Sequence, residues 1–239
     1  MQSPIVRSGK ATLNRVARLF LSQPCPVCDH TTATAVCQDC HRQLLRAFQS
    51  DLLPRKAGAT SVIALGSYDG ALKRAILAMK YSDRPDVAYP LGIALAKRWQ
   101  KVDARTINQK GLYVVPIPLH SKRQKSRGYN QAERIADAFC KASGLPIVPN
   151  GLERMKATQP QHLLNLEERQ KNLHQVFQVS DAMKRKAQSV SKRAARTPKV
   201  LIIDDIYTTG ATVQSAIDTF SQEGIAVVGV GVLAQTCSA

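Results

Sequence analysis

One stretch near the carboxyl end, residues 199–213 with the sequence KVLIIDDIYTTGATV, constrains the fold more than any other part of the chain. Its four apolar β-formers, residues 200–203, predict a buried strand of a parallel sheet. Asp204 and Asp205 follow at the carboxyl end of that strand, where open α/β sheets bind their ligands. A helix is expected over residues 211–222, so the stretch predicts an α/β protein with a site built around two acids.

The residues after the two acids have the composition of a phosphate-binding turn. Residues 206–210 predict a tight turn, in which Gly210 avoids the clashes of a Cβ atom. Thr208, Thr209 and Thr212 supply hydroxyl groups beside the unpaired N–H groups of the helix start, an arrangement that cradles a phosphate. The carboxylates suit a ribose diol, or a Mg²⁺ that bridges the sugar to further phosphates. The alternative is a strand–turn–helix whose polar residues only cap the helix.

This stretch resembles the signature with which type I phosphoribosyltransferases bind 5-phosphoribosyl-1-pyrophosphate (PRPP): an apolar strand, two acids, then Thr-Thr-Gly-x-Thr. The resemblance implies that the acids take the ribose hydroxyls and that the turn takes the 5′-phosphate. The PRPP-binding residues would be Asp204, Asp205, Thr208, Thr209, Gly210, Ala211 and Thr212.

The charge of the chain indicates a polyanionic partner. Among 239 residues there are 34 Lys and Arg but only 17 Asp and Glu, which gives a net charge of +17. A field of this sign favours nucleic acid, an acidic membrane surface or phosphorylated metabolites. Aromatic residues make up only 5% of the chain, which argues against a long stacking platform for single strands.

No segment of the sequence has the pattern of a membrane span or a signal peptide. A transmembrane helix needs a run of about 18 or more apolar residues, and none is present. The apolar part of residues 13–21 is short, and Arg15 and Arg18 interrupt it. These observations predict a cytoplasmic protein without membrane insertion.

Four of the six cysteines have the spacing of metal ligands. Cys25 and Cys28 form one Cys-x-x-Cys pair, and Cys37 and Cys40 form a second one after eight intervening residues. Two such pairs place four thiolates around a Zn²⁺ in a closed structural site, with no position left for a substrate. The alternatives are four ordinary free cysteines, iron–sulfur or redox chemistry, and a site in which His41 replaces Cys40.

The chain is predicted to have two parts. Residues 1–57 would form an amphipathic N-terminal helix (residues 10–21) and the zinc module, which continues as a helix over residues 44–53. Residues 54–58 read as a linker, and residues 58–239 would form the main domain. In the main domain, strands are predicted at residues 61–66, 112–118, 152–154, 176–179, 200–203 and 225–233. Helices are predicted up to residue 81 and over residues 86–101, and residues 181–199 are expected to form an exposed basic helix or a loose insertion.

Two polar segments of the main domain are candidate parts of the site. The first is a basic loop after Pro118, at the carboxyl end of a predicted strand, which suits pyrophosphate or a nucleic-acid backbone if it is more than a solvated loop. Its candidate contacts are Ser121, Lys122, Arg123 and Arg127. The second is residues 155–172, a long polar segment of the kind that forms lids over active sites.

Several blocks in order resemble the ComF (ComFC/GntX) family of phosphoribosyltransferase-like competence proteins. The blocks are Tyr68-Asp-Gly70 with Lys73 and Lys80, Val115-Pro-Ile-Pro118 followed by Arg127-Gly-Tyr-Asn-Gln131, Arg154 with Thr158, Gln159, Arg169 and Asn172, the paired cysteines, and the PRPP signature. The resemblance covers the chain from about residue 20 to its end, and residues 181–199 are not part of it.

The resemblance implies a type I phosphoribosyltransferase-like parallel sheet that binds Mg²⁺-PRPP and acts in natural competence, DNA uptake or DNA processing. In such enzymes the bond from C1′ to pyrophosphate breaks through an oxocarbenium-like state, which positioning, cations and water exclusion stabilise. The catalytic residues would be Asp204, Asp205, Arg127, Arg169 and Lys171.

The acceptor of such a transfer is not identified by any motif, so two other functions stay open. In one, the chain is a non-catalytic adaptor that grips single-stranded DNA and bridges a competence helicase and a recombination mediator protein. In the other, it is a regulator that responds to PRPP.

Overall fold

The computed structural model describes residues 22–48, 55–107, 110–119, 127–155, 176–194 and 197–236. The strands are β1 (Gln23–Pro24), β2 (Thr31–Thr32), β3 (Arg55–Ala57), β4 (Thr60–Ser67), β5 (Leu112–Pro116), β6 (Leu152–Arg154), β7 (Phe177–Val179), β8 (Lys199–Tyr207) and β9 (Ala226–Gln235). The helices are α1 (Gln38–Ala47), α2 (Gly70–Tyr81), α3 (Ala88–Ile107), α4 (Gln131–Ser143), α5 (Asp181–Ala194) and α6 (Ala211–Gln222), with a 3₁₀ turn at Pro85–Val87.

A mixed five-stranded sheet with the order β3-β4-β9-β8-β5 forms the centre of the protein. The strands β4, β9, β8 and β5 are parallel to one another, and β3 pairs antiparallel with β4 at one edge. The strands β1 and β2, and the strands β6 and β7, form two separate antiparallel pairs. The protein is therefore an α/β protein as predicted, and its sheet is mixed, because the predicted parallel sheet has an antiparallel strand at the β3 edge.

Helices cover both faces of this sheet, as the apolar run in β8 requires. Residues 200–203 are completely buried. Leu201 and Ile203 pack in the core that includes α3 and α4, whereas Val200 and Ile202 pack in the core that includes α5 and α6. The prediction of a buried strand at these residues is confirmed, because a parallel strand covered on both faces has no polar side to show in its sequence.

An aromatic contact joins two helices on the α3–α4 side of the sheet. The ring of Trp99 in α3 meets that of Phe139 in α4 edge to face, with 6.4 Å between centroids and 83° between planes. Gly229 in β9 lets the indole approach, since a Cβ atom there would lie 2.7 Å from Cζ2 of Trp99. Trp99 thus fastens α3 and α4 to the sheet.

The carboxyl half of β8 differs from its prediction. The predicted strand ended at residue 203, with a turn from residue 206, but β8 continues to Tyr207 because β9 pairs with it along this length. The partners include Asp204 with Val232 and Tyr207 with Gln235. Both acids therefore lie within the strand, and the turn occupies only residues 208–210.

The predicted linker at residues 54–58 is wrong over Arg55–Ala57, which form the edge strand β3. A two-residue connection follows, and Gly58 adopts a φ of +58° that suits a tight hairpin. Pairing with β4 overrides the low β-propensity of this basic segment.

Helix α5 accounts for most of the basic segment at residues 181–199. Its Met183 and Ala187 are buried against the core of the sheet, while Arg185 and Lys186 are exposed. Of the two alternatives, an exposed basic helix and a loose insertion, the structure has the helix, and one face of this helix packs on the protein instead of being exposed.

Other predicted boundaries shift by a few residues. Strand β5 ends at Pro116 rather than residue 118, α1 ends at Ala47, and α3 departs from helical geometry at Asp103 (φ −147°, ψ 70°). The predicted helix at residues 10–21, the candidate lid beyond residue 155 and the basic loop at residues 121–126 lie outside the described residues. In the described part of the chain, no helix combines the length and apolar character needed to cross a membrane.

Candidate functional site

A cavity of about 260 Å³ opens where β5 and β8 end. Its walls contain two acids, three cations, two threonines, an asparagine, a glutamine, a tyrosine and several apolar groups. The lining residues are Lys80, Tyr81, Ile117, Pro118, Leu119, Arg127, Asn130, Gln131, Ala132, Arg154, Asp204, Asp205, Ile206, Thr208 and Thr212. The cavity lies where the sequence places a site, at the carboxyl edge of a parallel sheet.

The end of β5 and the start of α4 are held together by Asn130. Its Nδ2 donates to the carbonyl oxygen of Ile117 at 2.9 Å, and its Oδ1 accepts from the N–H of Ala132 at 3.1 Å. The second bond caps α4. The N–H of Ile117 donates to the carbonyl oxygen of Ile203 at 2.9 Å, so this wall is also fixed to β8.

The surroundings of the two acids have opposing effects on the pKa of Asp204. Nζ of Lys80, at the end of α2, lies 2.9 Å from Oδ2 of Asp205, and these side chains are only 17% and 16% exposed. The N–H of Asp205 donates to Oδ1 of Asp204 at 2.8 Å. Burial raises the pKa of Asp204 to about 7, and the charge of Asp205 adds to this effect. The N–H of Asp205 and the charges of Lys80 and Arg154 oppose it.

Such a pair can accept hydrogen bonds from sugar hydroxyls or bind a cation. A carboxyl group whose pKa lies near neutrality is also typical of functional sites. The Lys80 ammonium supplies part of the positive charge that an ionised Asp204–Asp205 pair requires.

The turn after β8 depends on Gly210. Its φ of +81° is left-handed, and a Cβ atom would lie 2.8 Å from Cζ of Tyr207. Oγ1 of Thr209 accepts from the N–H of Ala211 at 3.4 Å, so this threonine serves the turn. Thr208, just before α6, and Thr212, in its first turn, line the cavity where the unpaired N–H groups of the helix start attract anions.

The structure brings part of the predicted cation set to the cavity. Arg127 lines it, whereas Arg169 and Lys171 lie outside the described residues, as do the predicted loop residues Ser121, Lys122 and Arg123.

Two cations received no role from the sequence. Lys80 and Arg154 line the cavity, and the guanidinium of Arg154 lies 5.5 Å from the ring centroid of Phe177. Both belong to the blocks that resemble the ComF family, but only the fold places them at the acids. For Lys80, its position at the end of a helix that follows a parallel strand could have indicated a place in the site.

The four N-terminal cysteines form one cluster. The Sγ atoms of Cys25, Cys28, Cys37 and Cys40 all lie within 4.8 Å of one another. Those of Cys28 and Cys37 are 3.5 Å apart. Tetrahedral zinc with Zn–S bonds of about 2.3 Å requires S–S separations of about 3.8 Å, so the cluster fits this ion. In a closed site of this kind the metal stabilises the fold and leaves no position for a substrate.

Hydrogen bonds around the cluster also suit thiolates. The N–H of Cys37 donates to Sγ of Cys25 at 3.3 Å, and the N–H of Cys40 donates to Sγ of Cys37 at 3.5 Å. Nδ1 of His30 lies 3.3 Å from Sγ of Cys28. His30 is therefore an outer partner that can orient a ligand.

Two arginines donate hydrogen bonds to the backbone around the cysteine cluster. Arg84 donates to the carbonyl oxygens of Pro24 at 2.7 Å and Ala35 at 2.9 Å. Arg74 on α2 donates to the carbonyl oxygen of Val27 at 3.0 Å. Through these bonds the cluster braces α2, the helix that carries Lys80.

Purified protein is expected to contain about one zinc per chain, because four thiolates in this arrangement form a closed site. Removing the metal with a chelator, or replacing Cys40 with Ser, should lower the melting temperature, since the ion stabilises the cluster. Cys140→Ala is the matched control, because Cys140 is buried in α4 outside the cluster and its loss should leave the zinc content unchanged. A metal-free protein of undiminished stability would contradict a zinc site.

Without ligand or added metal, Asp204→Asn is expected to stabilise the fold at about pH 8 but not at about pH 4. The folded pKa lies above the ordinary value, so wild-type stability is full below about pH 4 and declines as the pH rises to about 7. Asparagine does not ionise and escapes this loss. At about 1.4 kcal/mol per pKa unit, the gain should be on the order of 2–4 kcal/mol. Urea unfolding across pH measures it.

The control for this experiment is Asp218→Asn, which changes an exposed acid on α6. It should follow the wild-type pH profile. Parallel profiles for wild type and Asp204→Asn would show that the carboxyl group of Asp204 titrates normally.

Comparison with known proteins identifies the relatives of the chain. Competence protein F of Haemophilus influenzae is 30% identical over 135 residues, which are 56% of this chain and 55% of that protein. Competence protein ComFC of Bacillus subtilis is 25% identical over 202 residues, or 84% of this chain and 72% of that protein. DNA utilization protein YhgH of Escherichia coli is 25% identical over 219 residues, or 89% and 90%.

No protein-family model matches the chain. The chain spans little more than half of the Haemophilus protein, but most of the other two relatives. Its similarity to three named competence and DNA-utilization proteins agrees with the blocks found in the sequence. These relatives support the resemblance of the chain to the ComF family.

Proposed function

We propose that the cavity binds Mg²⁺-PRPP and that the chain is a phosphoribosyltransferase-type protein of DNA uptake or processing. The observation that carries this proposal is that Asp204 and Asp205 line the same cavity as Thr208 and Thr212, which flank the start of α6. An acid pair beside a helix start is complementary to a sugar phosphate. The volume of about 260 Å³ is slightly below the range of small-molecule sites, which begins at about 300 Å³.

Each part of PRPP has a complementary wall. The ribose hydroxyls would donate to Asp204 and Asp205, and the 5′-phosphate would lie against Thr208, Thr212 and the first turn of α6. The pyrophosphate would then extend towards the cations of the cavity, which are Lys80, Arg127 and Arg154.

The acid pair also suits a magnesium ion. Carboxylate oxygens are ligands that Mg²⁺ accepts, and Asp204 and Asp205 would hold the ion that accompanies PRPP. When bound, the ion neutralises phosphate charge. The cations of the chain itself would stabilise the pyrophosphate as the C1′–oxygen bond breaks and the acceptor bonds to C1′.

The names of the relatives support a biological role for this chain. Their names refer to competence and DNA utilization, and we assign this chain to the same process. Single-stranded DNA is the expected nucleic acid partner, with a competence helicase or a recombination mediator protein as further partners. We place this activity in the cytoplasm, with the zinc cluster as a structural brace.

Mg²⁺-PRPP is expected to raise the melting temperature of the wild type by several degrees. A ligand at a hundred times its dissociation constant adds about 2.7 kcal/mol to the stability of the folded state. Asp204→Asn should lose the shift because it removes a ribose contact, measured against its own melting temperature without ligand. Asp218→Asn retains the cavity and should show the full shift.

Two outcomes would count against PRPP binding. One is an absence of any shift in the wild type at millimolar Mg²⁺-PRPP. The other is an equal shift in wild type and Asp204→Asn, which would place the ligand elsewhere on this basic protein.

The net charge of +17 favours a second function, that of a single-stranded DNA adaptor without catalysis. On this hypothesis DNA affinity should fall steeply with salt, because each phosphate contact releases counterions. Combined replacement of Lys122, Arg123 and Arg127 with Ala should weaken binding and flatten the salt dependence, while Asp204→Asn should not. An affinity independent of salt would exclude this adaptor function.

A further inference from the structure

Tyr81 is an exposed aromatic side chain at the mouth of the cavity. It is the last residue of α2, it follows Lys80, and 75% of its surface is accessible to solvent. Among the large apolar side chains that the structure describes, no other is as exposed; Tyr89, the next, is 53% exposed. The ring therefore contributes little to the core.

Arg127 lies over this ring. The carbon of its guanidinium group is 5.4 Å from the ring centroid of Tyr81, within the range of a cation–π contact. Both side chains line the cavity that contains Asp204 and Asp205. A flat aromatic ring and a flat cation thus meet at the edge of a polar site.

The segment that carries Arg127 is fixed to the end of α2. The hydroxyl of Tyr129, two residues after Arg127, donates to the carbonyl oxygen of Met79, two residues before Tyr81. Tyr129 and Met79 are both buried, and Asn130 anchors the same segment to β5. The backbones of the two residues are therefore held in a fixed relation before any ligand binds.

This arrangement has the chemistry of a nucleobase site. Bases stack on tyrosine rings and on guanidinium planes, and they do so with little regard to sequence. The neighbouring cavity supplies acids for a ribose and cations for phosphates. One such ring accommodates a single base, which agrees with an aromatic content too low for a long platform.

We propose that Tyr81 and Arg127 form a stacking platform for one nucleobase at the mouth of the Asp204–Asp205 cavity. The inference rests on the proposed function, because it names the chemical class of the second ligand of the same cavity. The base can be free, as the acceptor of a phosphoribosyl group, or part of single-stranded DNA.

The test compares oligothymidylate with an abasic oligomer that has the same number of phosphates, using fluorescence anisotropy. Stacking of one base is expected to favour oligothymidylate on the order of 5- to 100-fold. Tyr81→Ala should abolish this preference but leave abasic binding unchanged, whereas Tyr81→Phe should retain it. Tyr89→Ala is the matched control, because Tyr89 is exposed on α3 and does not line the cavity.

A second arm distinguishes the source of the base. If the base is a free acceptor, adenine, thymine and other free bases should add to the thermal shift that Mg²⁺-PRPP produces in the wild type, but not in Tyr81→Ala. If the base belongs to DNA, only the oligomers should reveal the platform.

The proposal is overturned if the wild type neither prefers oligothymidylate nor responds to free bases, or if Tyr81→Ala behaves as the wild type in both arms. The Mg²⁺-PRPP shift separates this failure from that of the proposed function. A shift retained in the wild type and Tyr81→Ala without any base effect removes the platform alone. No PRPP shift in the wild type removes the proposed function.

Discussion

Two adjacent carboxyl groups at the end of a buried strand are unfavourable for folding unless other groups compensate them. Strand β8 holds Asp204 and Asp205 at the carboxyl edge of the sheet because β9 pairs with it as far as Tyr207. Compensation comes from Lys80, bonded to Asp205, and from the N–H of Asp205, which donates to Asp204. Because the pKa of Asp204 is still raised, this compensation is incomplete. Stability lost at one place in this way is common at binding sites.

The need to compensate the two carboxyl groups also involves the N-terminal cysteine cluster, because the cluster contacts the helix that carries Lys80. Lys80 and Tyr81 are the last two residues of α2, so the position of that helix sets both the ion pair and the aromatic ring. Arg74 on α2 donates a hydrogen bond to the carbonyl oxygen of Val27, which lies between Cys25 and Cys28. The buried Cys25 and Cys40 also pack in the core that contains the apolar face of α2. A structural metal in the cluster would therefore stabilise the wall of a cavity that it does not touch.

The site could be predicted from the sequence where local chemistry decides it. The apolar run of β8, its two acids and the glycine of the following turn specify a strand, an edge and a helix start, and the structure contains each. The paired cysteines specify their cluster in the same way, since ligand spacing alone brings them together.

Other features depend on contacts between distant segments. Lys80 reaches Asp205 only because β4 and β8 flank β9, and strand order does not follow from a periodic pattern. The edge strand at Arg55–Ala57 has a polar sequence typical of a linker, and it forms because β4 offers a free edge. The contact of Tyr81 with Arg127 joins residues 46 positions apart through the buried bond from Tyr129 to Met79.

Phosphorus NMR of Mg²⁺-PRPP tests the central claim most directly, because its 5′-phosphate and pyrophosphate give separate resonances. If the cavity binds PRPP, protein in excess should shift or broaden all of them. Thr212→Val should then weaken the effect on the 5′-phosphate more than that on the pyrophosphate, since Thr212 lies in the first turn of α6. Resonances that do not change with excess wild-type protein would contradict a PRPP site at the acid pair.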